Sequence, residues 1–361
     1  MKKHLLALAA LATVSGAAVA QSATIYGILD LSITSTPHST SGAAGATADA
    51  GKRTMLSDAV WMPSVFGITG TEDLGGGLKA SFNLESDVNV DTGALSAASG
   101  TNLFGRKANV NLTSAQFGTL TAGKDIDMLF LQGFIDNVRN SHSSSAFVAH
   151  TVSAAGNTLA TDSVFTQNMI RYTTPTFNGF KASVQRRLGE TAGDNSYNSS
   201  TAFLANYAAN GLSVSVGTKK VNDYHTSTAG TPVAGNDAKT NYIGATYQLG
   251  QFRLATAHFE TKPENTINSR VKIKTHEYGV GYSVTPSLTA AVNYVAQDNG
   301  GVDSKVTSGS LKYSLSKRTS VWALVSKTNN DATGSITGLY GTGVATGKDS
   351  TQTALGMTHS F

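Results

Sequence analysis

The sequence has no cysteine and little charge. Without cysteine, the chain cannot form disulfides and cannot carry the lipid-modified cysteine of a lipoprotein. Asp, Glu, Lys and Arg together make up 14% of the 361 residues, whereas an ordinary soluble domain has about 25%. An exported soluble binding protein needs a charged outer surface, so the composition argues against that class.

Long apolar stretches are also missing. Outside the N-terminal segment, no stretch approaches the roughly 18 consecutive apolar residues that a membrane-spanning helix needs. The formal net charge is only +4, and no run of Lys or Arg is present. We therefore expect neither transmembrane helices nor a nucleic-acid partner.

Motifs for catalysis and metal binding are absent as well. The sequence contains neither a Gly-x-Ser-x-Gly elbow nor a His-Glu-x-x-His motif. Loop histidines such as His38 and His142 lack metal-ligand spacing. His258 and His276 lie on neighbouring candidate strands, which leaves a membrane-barrel enzyme as an alternative. Because serine is frequent everywhere, its nearness to these histidines carries little information. The sequence predicts no enzyme activity, no cofactor and no bound metal.

The first twenty residues have the features of a secretory signal peptide. Lys2 and Lys3 form a positive start, residues 5–14 form a short apolar core, and residues 18–20 are small. We expect cleavage after residue 20, so that residues 21–361 form one exported domain.

What the chain does contain is an alternation of apolar and polar residues with a period of two. In residues 78–85 the even positions are apolar and the odd positions, which include Lys79 and Glu85, are polar. Many such segments approach the roughly 9–11 residues that a tilted strand needs to cross a bilayer. Sixteen candidate strands lie near residues 24–36, 54–69, 77–88, 104–113, 118–125, 167–174, 179–189, 200–209, 211–220, 239–249, 251–261, 273–284, 287–297, 304–315, 319–328 and 350–361.

The connections between these strands alternate between tight turns and long polar loops. This pattern is typical of outer-membrane barrels, which have short periplasmic turns and long extracellular loops. In lipid, each unpaired backbone group at an open sheet edge costs several kcal/mol, so the first strand must pair with the last. We predict an all-β fold, a 16-stranded antiparallel transmembrane β-barrel in the bacterial outer membrane. The long loops are residues 37–53, 89–103, 126–166, 190–199, 221–238, 262–272, 298–303 and 329–349.

The last candidate strand ends on an aromatic residue. Leu355, Met357, His359 and Phe361 share one face of it, and small or polar residues take the other. We interpret Phe361 as a C-terminal signal for the outer-membrane assembly machinery, which would be a partner together with the outer-membrane lipids.

Seven segments of the chain carry a family resemblance: residues 22–30, 66–80, 103–108, 117–125, 170–172, 177–180 and 357–361. They resemble the general porins of Gram-negative bacteria, particularly those of β-proteobacteria. The segments extend from the first strand to the last, so the resemblance covers the whole exported chain. It implies sixteen strands, a homotrimer, and a third loop that folds into the lumen as a constriction.

The resemblance also implies a function and a site. A porin is a water-filled channel through which small hydrophilic solutes and ions diffuse passively, so no catalytic group is required. Its constriction sets a basic wall against acidic residues on the inserted loop, and the resemblance points to Lys124, Arg171 and Arg106 for the wall. The third loop, residues 126–166, is the longest and opens on an apolar segment, which favours infolding. Asp127 and Asp136 are its acidic candidates.

Alternation supports only part of this wall. Ile170 and Tyr172 take the outward side, which leaves Arg171 inward. By alternation, Lys124 and Arg106 each fall on the same side of the strand as apolar, lipid-facing residues. The pattern therefore does not support an inward position for either residue. A β-bulge near the strand end would resolve the conflict for Lys124.

Some basic positions of the related porins are lost here, at Ile28, Val65 and Thr69. Lys107 and Lys181 are expected to face the lumen, and with Arg186 and Arg187 they would compensate in part. We therefore predict a weakly anion-selective or unselective channel. The alternative is a substrate-specific channel for sugars or dicarboxylates. The aromatic residues mostly take the lipid-facing side of the strands, which does not favour an aromatic sugar path.

Overall fold

The computed structural model describes residues 22–41, 47–95, 102–138, 164–223, 237–264 and 271–361. The predicted signal peptide and residues 139–163 of the third loop lie outside these ranges. The described residues form one antiparallel sheet and one short helix. The strands are β1 (Ser22–Thr36), β2 (Arg53–Asp58), β3 (Val65–Gly75), β4 (Leu78–Asp87), β5 (Lys107–Ser114), β6 (Gly118–Ile126), β7 (Phe165–Thr173), β8 (Phe180–Arg187), β9 (Ser200–Ala209), β10 (Leu212–Val221), β11 (Ala238–Leu249), β12 (Phe252–Pro263), β13 (Ile273–Ser283), β14 (Leu288–Asn299), β15 (Asp303–Ser314), β16 (Thr319–Asn330) and β17 (Ser350–Ser360), and α1 is Met128–Ile135.

The sheet closes on itself, as predicted. β1 pairs with β17 from Ile28 opposite Ser360 to Ser35 opposite Thr353. The backbone of Phe361 continues this ladder, because it exchanges two hydrogen bonds with Gly27, at 3.0 and 3.2 Å. A Cβ at residue 27 would lie 2.3 Å from the Phe361 ring, so only glycine fits under it. The closed ladder satisfies backbone groups that lipid would leave without partners.

β2 and β3 are two halves of a single crossing, because both pair with β1. The barrel therefore has sixteen crossings, although the predicted continuous strand over residues 54–69 is wrong. Residues 59–64 leave the ladder, and the backbone N–H of Trp61 donates instead to the carboxylate of Asp30, at 2.9 Å. A buried side chain thus replaces the missing ladder partner.

Successive side chains of the crossings alternate between the inside and the outside of the barrel. On β12, Ala257 and Phe259 are buried towards the lumen, whereas Phe252 and Leu254 are exposed on the outer surface. The outer surface is a band of exposed apolar side chains, which suits contact with lipid. Among the described residues, no helix is long and apolar enough to cross a membrane.

The start of the third loop lies against the inner wall. Here α1 packs Leu129 and Phe130 against inward residues of β9, β11 and β12, including Leu204, Tyr242 and Phe259. Inward apolar residues are therefore stable in this sector, because the helix covers them and excludes water.

The middle part of the last long loop, residues 329–349, also folds inward, which the sequence analysis did not predict. Leu339 is fully buried and packs with Trp61 and Trp322. The side-chain oxygen of Gln352 on β17 accepts hydrogen bonds from the backbone N–H groups of Gly338 and Leu339. Trp322 of β16 presents a large apolar side chain to the lumen, and the loop shields it from water.

Candidate functional site

A network of charges lies on the inner wall at the outer ends of β4 and β5. The Arg106 guanidinium donates to Glu85 at 2.7 Å and to Asp87 at 2.6 Å. Lys107 lies 3.0 Å from the second oxygen of Glu85, which also accepts from the Tyr26 hydroxyl at 2.7 Å. Two cations therefore share two carboxylates, and the planar fork of Arg106 suits this double contact.

The structure resolves the conflict between the alternation pattern and an inward Arg106. β5 begins at Lys107, so Arg106 precedes the strand and does not follow its alternation. Glu85 and Lys107 are directly opposite each other and both face inward, on the predicted side.

Arg171 on β7 faces inward, opposite Thr121 of β6. Its guanidinium lies 3.2 Å from Asp125, donates to Gln185 at 3.0 Å, and donates to the backbone oxygen of Ile126 at 3.1 Å. These contacts hold the charge at the point where β6 leads into the third loop.

Lys124 lies beside a shift in the strand register between Gly123 and Asp125. Gly123 has a φ of 126°, which a residue with a side chain rarely adopts. The Lys124 ammonium lies 5.8 Å from the centre of the Phe165 ring, and the Arg106 guanidinium lies 5.2 Å from the same centre. The irregularity therefore brings Lys124 to the inward network despite its parity.

Two further predicted lumen residues, Lys79 and Lys181, lie nearer the short-turn end. Lys79 is opposite Thr113, and Lys181 is opposite Asn206, on the inward side of their strands. Arg187 also points inward and donates to Asn198 at 2.7 Å. Arg186 does not face the lumen: it lies on the outward side, where it donates to Thr201 at 2.8 Å.

Asp127 lies on the inserted segment, but its carboxylate is not exposed. It caps α1 by accepting from the backbone N–H groups of Leu129 and Phe130, at 3.0 and 3.1 Å. Its other oxygen lies 2.6 Å from Lys219 of β10, a residue that the sequence analysis missed. Lys219 is on the same side of β10 as Ser213 and Ser215, so the alternation of the strand could have predicted that it faces inward.

Asp136 ends α1 and is buried as well. It accepts hydrogen bonds from the Tyr242 hydroxyl at 2.5 Å and from Gln132 at 3.1 Å. Burial raises the pKa of Asp136, and the hydrogen bonds from Tyr242 and Gln132 oppose that shift. Both predicted acidic residues therefore fasten α1 to the wall, and neither presents its charge to solvent.

Within this cluster of contacts, the cations outnumber the carboxylates by one. Arg106, Lys107, Lys124 and Arg171 face three carboxylates, of Glu85, Asp87 and Asp125. Asp127 and Lys219 cancel each other. In a channel, a narrow section sorts ions by the net charge of its lining.

Comparisons with known proteins agree with this architecture. The sequence profile of the Gram-negative porins matches residues 7–333. The chain is 32% identical to outer membrane porin protein 32 of Delftia acidovorans over the full length of both chains. It is 30% identical to major outer membrane protein P.IB of Neisseria gonorrhoeae, with 90% of this chain and 92% of that protein covered.

A solved structure has the same fold. The anion-selective porin from Comamonas acidovorans superposes with a TM-score of 0.79 at 24% identity, over 95% of this chain and all of that one. The alternating strands, the closed sheet and the sequence match agree with one another. The chain is an outer-membrane channel protein, not an enzyme, and it belongs to the Gram-negative porin family.

Proposed function

We propose that the protein is a diffusion channel for small hydrophilic solutes and ions, with weak anion selectivity. The observation that carries the proposal is the wall on which four cations face three carboxylates. Because carboxylates neutralise most of the positive charge within contact distance, the net field is small. The anion-selective porin from Comamonas acidovorans has the same fold, which supports the sign of this preference.

The inner aromatic residues do not favour a sugar-specific channel. Trp61 and Trp322 face the lumen with their ring centres 5.4 Å apart, but both are buried under the last loop. A sugar path needs exposed aromatic faces, and these rings are covered.

Reversal potentials across a salt gradient test the proposal. The protein, inserted in a planar bilayer between unequal KCl solutions, should give a small potential of the anion-selective sign. Single-channel steps in groups of three would agree with a trimer. A strong preference for cations, or no current at all, would refute the proposed function.

We also propose a homotrimer whose contact surface runs across β17, β1, β3 and β4. The exposed outward residues there include the aliphatic side chains of Ile25, Ile33 and Leu355. From β10 to β16 the outward positions include tyrosines such as Tyr278 and lysines such as Lys262, the side chains that suit lipid headgroups. The two halves of the wall therefore suit different neighbours.

Two matched isoleucines test the contact surface. Ile33 lies in the proposed interface and is 61% exposed in the single chain, whereas Ile243 on β11 is 50% exposed and faces the proposed lipid side. Ile33→Asn should shift the protein from trimer to monomer on a semi-native gel, and Ile243→Asn should not. Equal behaviour of the two variants would contradict the assignment.

The two ends of the chain have proposed roles in export. Residues 1–20 would be removed on secretion, and the strand that ends at Phe361 would engage the assembly machinery. N-terminal sequencing of the outer-membrane form should begin at Gln21. Phe361→Ala should lower the amount of folded protein in the outer membrane without changing the channels that do form.

A further inference from the structure

Two histidines meet on the outer surface of the barrel, away from the charged wall. His258 of β12 and His276 of β13 are directly opposite each other in the register. Their sequence neighbours Ala257, Phe259 and Glu277 are buried towards the lumen, so both imidazoles face outward. The two Nδ1 atoms are 2.6 Å apart.

The surroundings determine which ring nitrogens carry protons. The Thr256 hydroxyl has one hydrogen, which it donates to the backbone oxygen of Glu277 at 2.9 Å. The same hydroxyl oxygen lies 2.8 Å from Nε2 of His258, so this nitrogen must be the donor of that second bond. A neutral His258 therefore presents an unprotonated Nδ1 towards His276.

The pair lies at the level where the membrane meets water. One row closer to the membrane centre is Tyr278, whose ring lies edge-on to His258 at 5.4 Å. One row further out are Glu260 and Lys274, which face each other across the same two strands. A groove whose lining includes Ile243, Glu260, Lys274 and both histidines opens here, so an ion from the external solution can reach the pair.

We propose that His258 and His276 form a binding site for a transition-metal cation such as Zn²⁺ or Cu²⁺. Imidazole nitrogens are preferred ligands of these ions. A cation bound by the two Nδ1 atoms would displace the single proton that they share. That proton would pass from Nδ1 of His276 to water while water protonates Nε2 of the same ring, so that His276 stays neutral and only changes its tautomer. The Thr256 hydroxyl would orient His258 by holding its Nε2–H, as partners of metal-bound histidines do.

Water would complete the coordination of the cation, because the nearby Glu260 carboxylate is already paired with lysines. Glu260 follows His258 by two residues on the same face of β12, and its carboxylate now contacts Lys262 at 2.8 Å. No group of three or more His, Asp or Glu with suitable geometry is found in the described part of the chain. We therefore expect a two-histidine site of moderate affinity that joins β12 to β13.

Copper binding to the folded protein in detergent tests the proposal. CuCl₂ should bind with one strong site per chain, and electron paramagnetic resonance should show two coupled imidazole nitrogens. His258→Gln and His276→Gln should each remove the two-nitrogen signal and weaken binding by about tenfold or more. ZnCl₂ should compete for the site, and it should raise the unfolding temperature of the wild type but not of the two variants.

Two further variants serve as controls. Thr256→Val keeps both ligands but removes the hydroxyl that orients His258, and it should weaken copper binding by about tenfold. His359→Gln removes an outward histidine near the opposite end of the barrel, bonded to Thr319, and should leave binding unchanged. The proposal fails if the wild type binds no stoichiometric copper, or if the two-nitrogen signal survives in both His258→Gln and His276→Gln.

Discussion

Lys219 and Asp127 form an ion pair inside the barrel, with 2.6 Å between Nζ and Oδ2 and almost no exposure of either side chain. Asp127 also caps α1 through the backbone N–H groups of Leu129 and Phe130. A single carboxylate therefore fixes both where the helix begins and where it attaches to β10.

Asp127→Asn should destabilise the folded protein by about 3–5 kcal/mol, because it leaves the buried Lys219 ammonium without its counter-charge. Asp136→Asn is the matched control, since Asp136 accepts hydrogen bonds mainly from neutral donors, and its effect should stay within about 1 kcal/mol. Unfolding in urea of the detergent-folded protein measures both. Similar losses in the two variants would show that charge pairing is not what holds the helix.

Asp136 should also make stability depend on pH. Burial raises its pKa in the folded protein above the unfolded value. The folded state therefore binds more protons than the unfolded state between these two pKa values, and stability from this group increases as pH falls through the folded pKa. Asp136→Asn should lack this contribution. The difference between the unfolding free energies of wild type and variant, measured from neutral to mildly acidic pH, should shift in favour of the wild type. A difference that is constant with pH would contradict the prediction.

Arg171→Ala should shift the reversal potential towards cations, because it removes the excess positive charge of the wall. Arg186→Ala is the matched control: it removes the same charge from the outward side of the neighbouring strand. The control should leave the potential near that of the wild type at physiological salt, where fields are screened beyond about 8–10 Å. If the two variants behave alike, Arg171 does not act on the passing ions.

Arg106 is expected to act mainly on stability. Arg106→Gln leaves the buried carboxylates of Glu85 and Asp87 without their shared partner, which should cost about 3 kcal/mol or more. Arg106→Lys should rescue little, since an ammonium cannot reproduce the two directed contacts of the guanidinium. Adding Asp87→Asn to Arg106→Gln should restore part of the loss in urea unfolding. Strictly additive effects would mean that these two residues do not interact.

Leu339→Ala should release the last loop from the lumen. Leu339 is fully buried beside Trp61 and Trp322, and such a truncation typically costs about 2–5 kcal/mol. Single-channel recordings should show more frequent conductance fluctuations, and the loop should become sensitive to protease. Leu311→Ala, on the outer surface of β15, should show neither effect. If the Leu339→Ala channel showed no additional conductance fluctuations and its loop resisted protease, other contacts would hold the loop.

Alternation predicted the strands well because two solvents act on every crossing. Lipid outside and water inside require opposite side chains at successive residues, so β4 can be read directly from the sequence. The alternation fails where the inner side of the barrel wall is not exposed to water. Trp61 and Leu339 occupy a sector in which protein replaces water, and the polar composition of residues 329–349 did not reveal that this loop is buried there.

The charged site was less accessible from sequence. Arg171 follows from parity alone, because both of its neighbours are outward. The burial of Asp127 cannot be predicted from its neighbours in the sequence, because it depends on Lys219, which is 92 residues further along the chain. Acidic residues on an inserted loop can line a channel or fasten the loop, and only the tertiary contacts distinguish the two.

The hydrogen bonds between Gly27 and Phe361 join segments more than three hundred positions apart. Every other pair of neighbouring strands is adjacent in sequence and can form as a hairpin. The pairing of β1 with β17 can form only after the rest of the barrel is in place. Until it forms, two unsatisfied edges exist, and the hydrocarbon interior does not tolerate them. Insertion and final closure must therefore be coupled events, and a late, slow kinetic step is expected when the two margins meet.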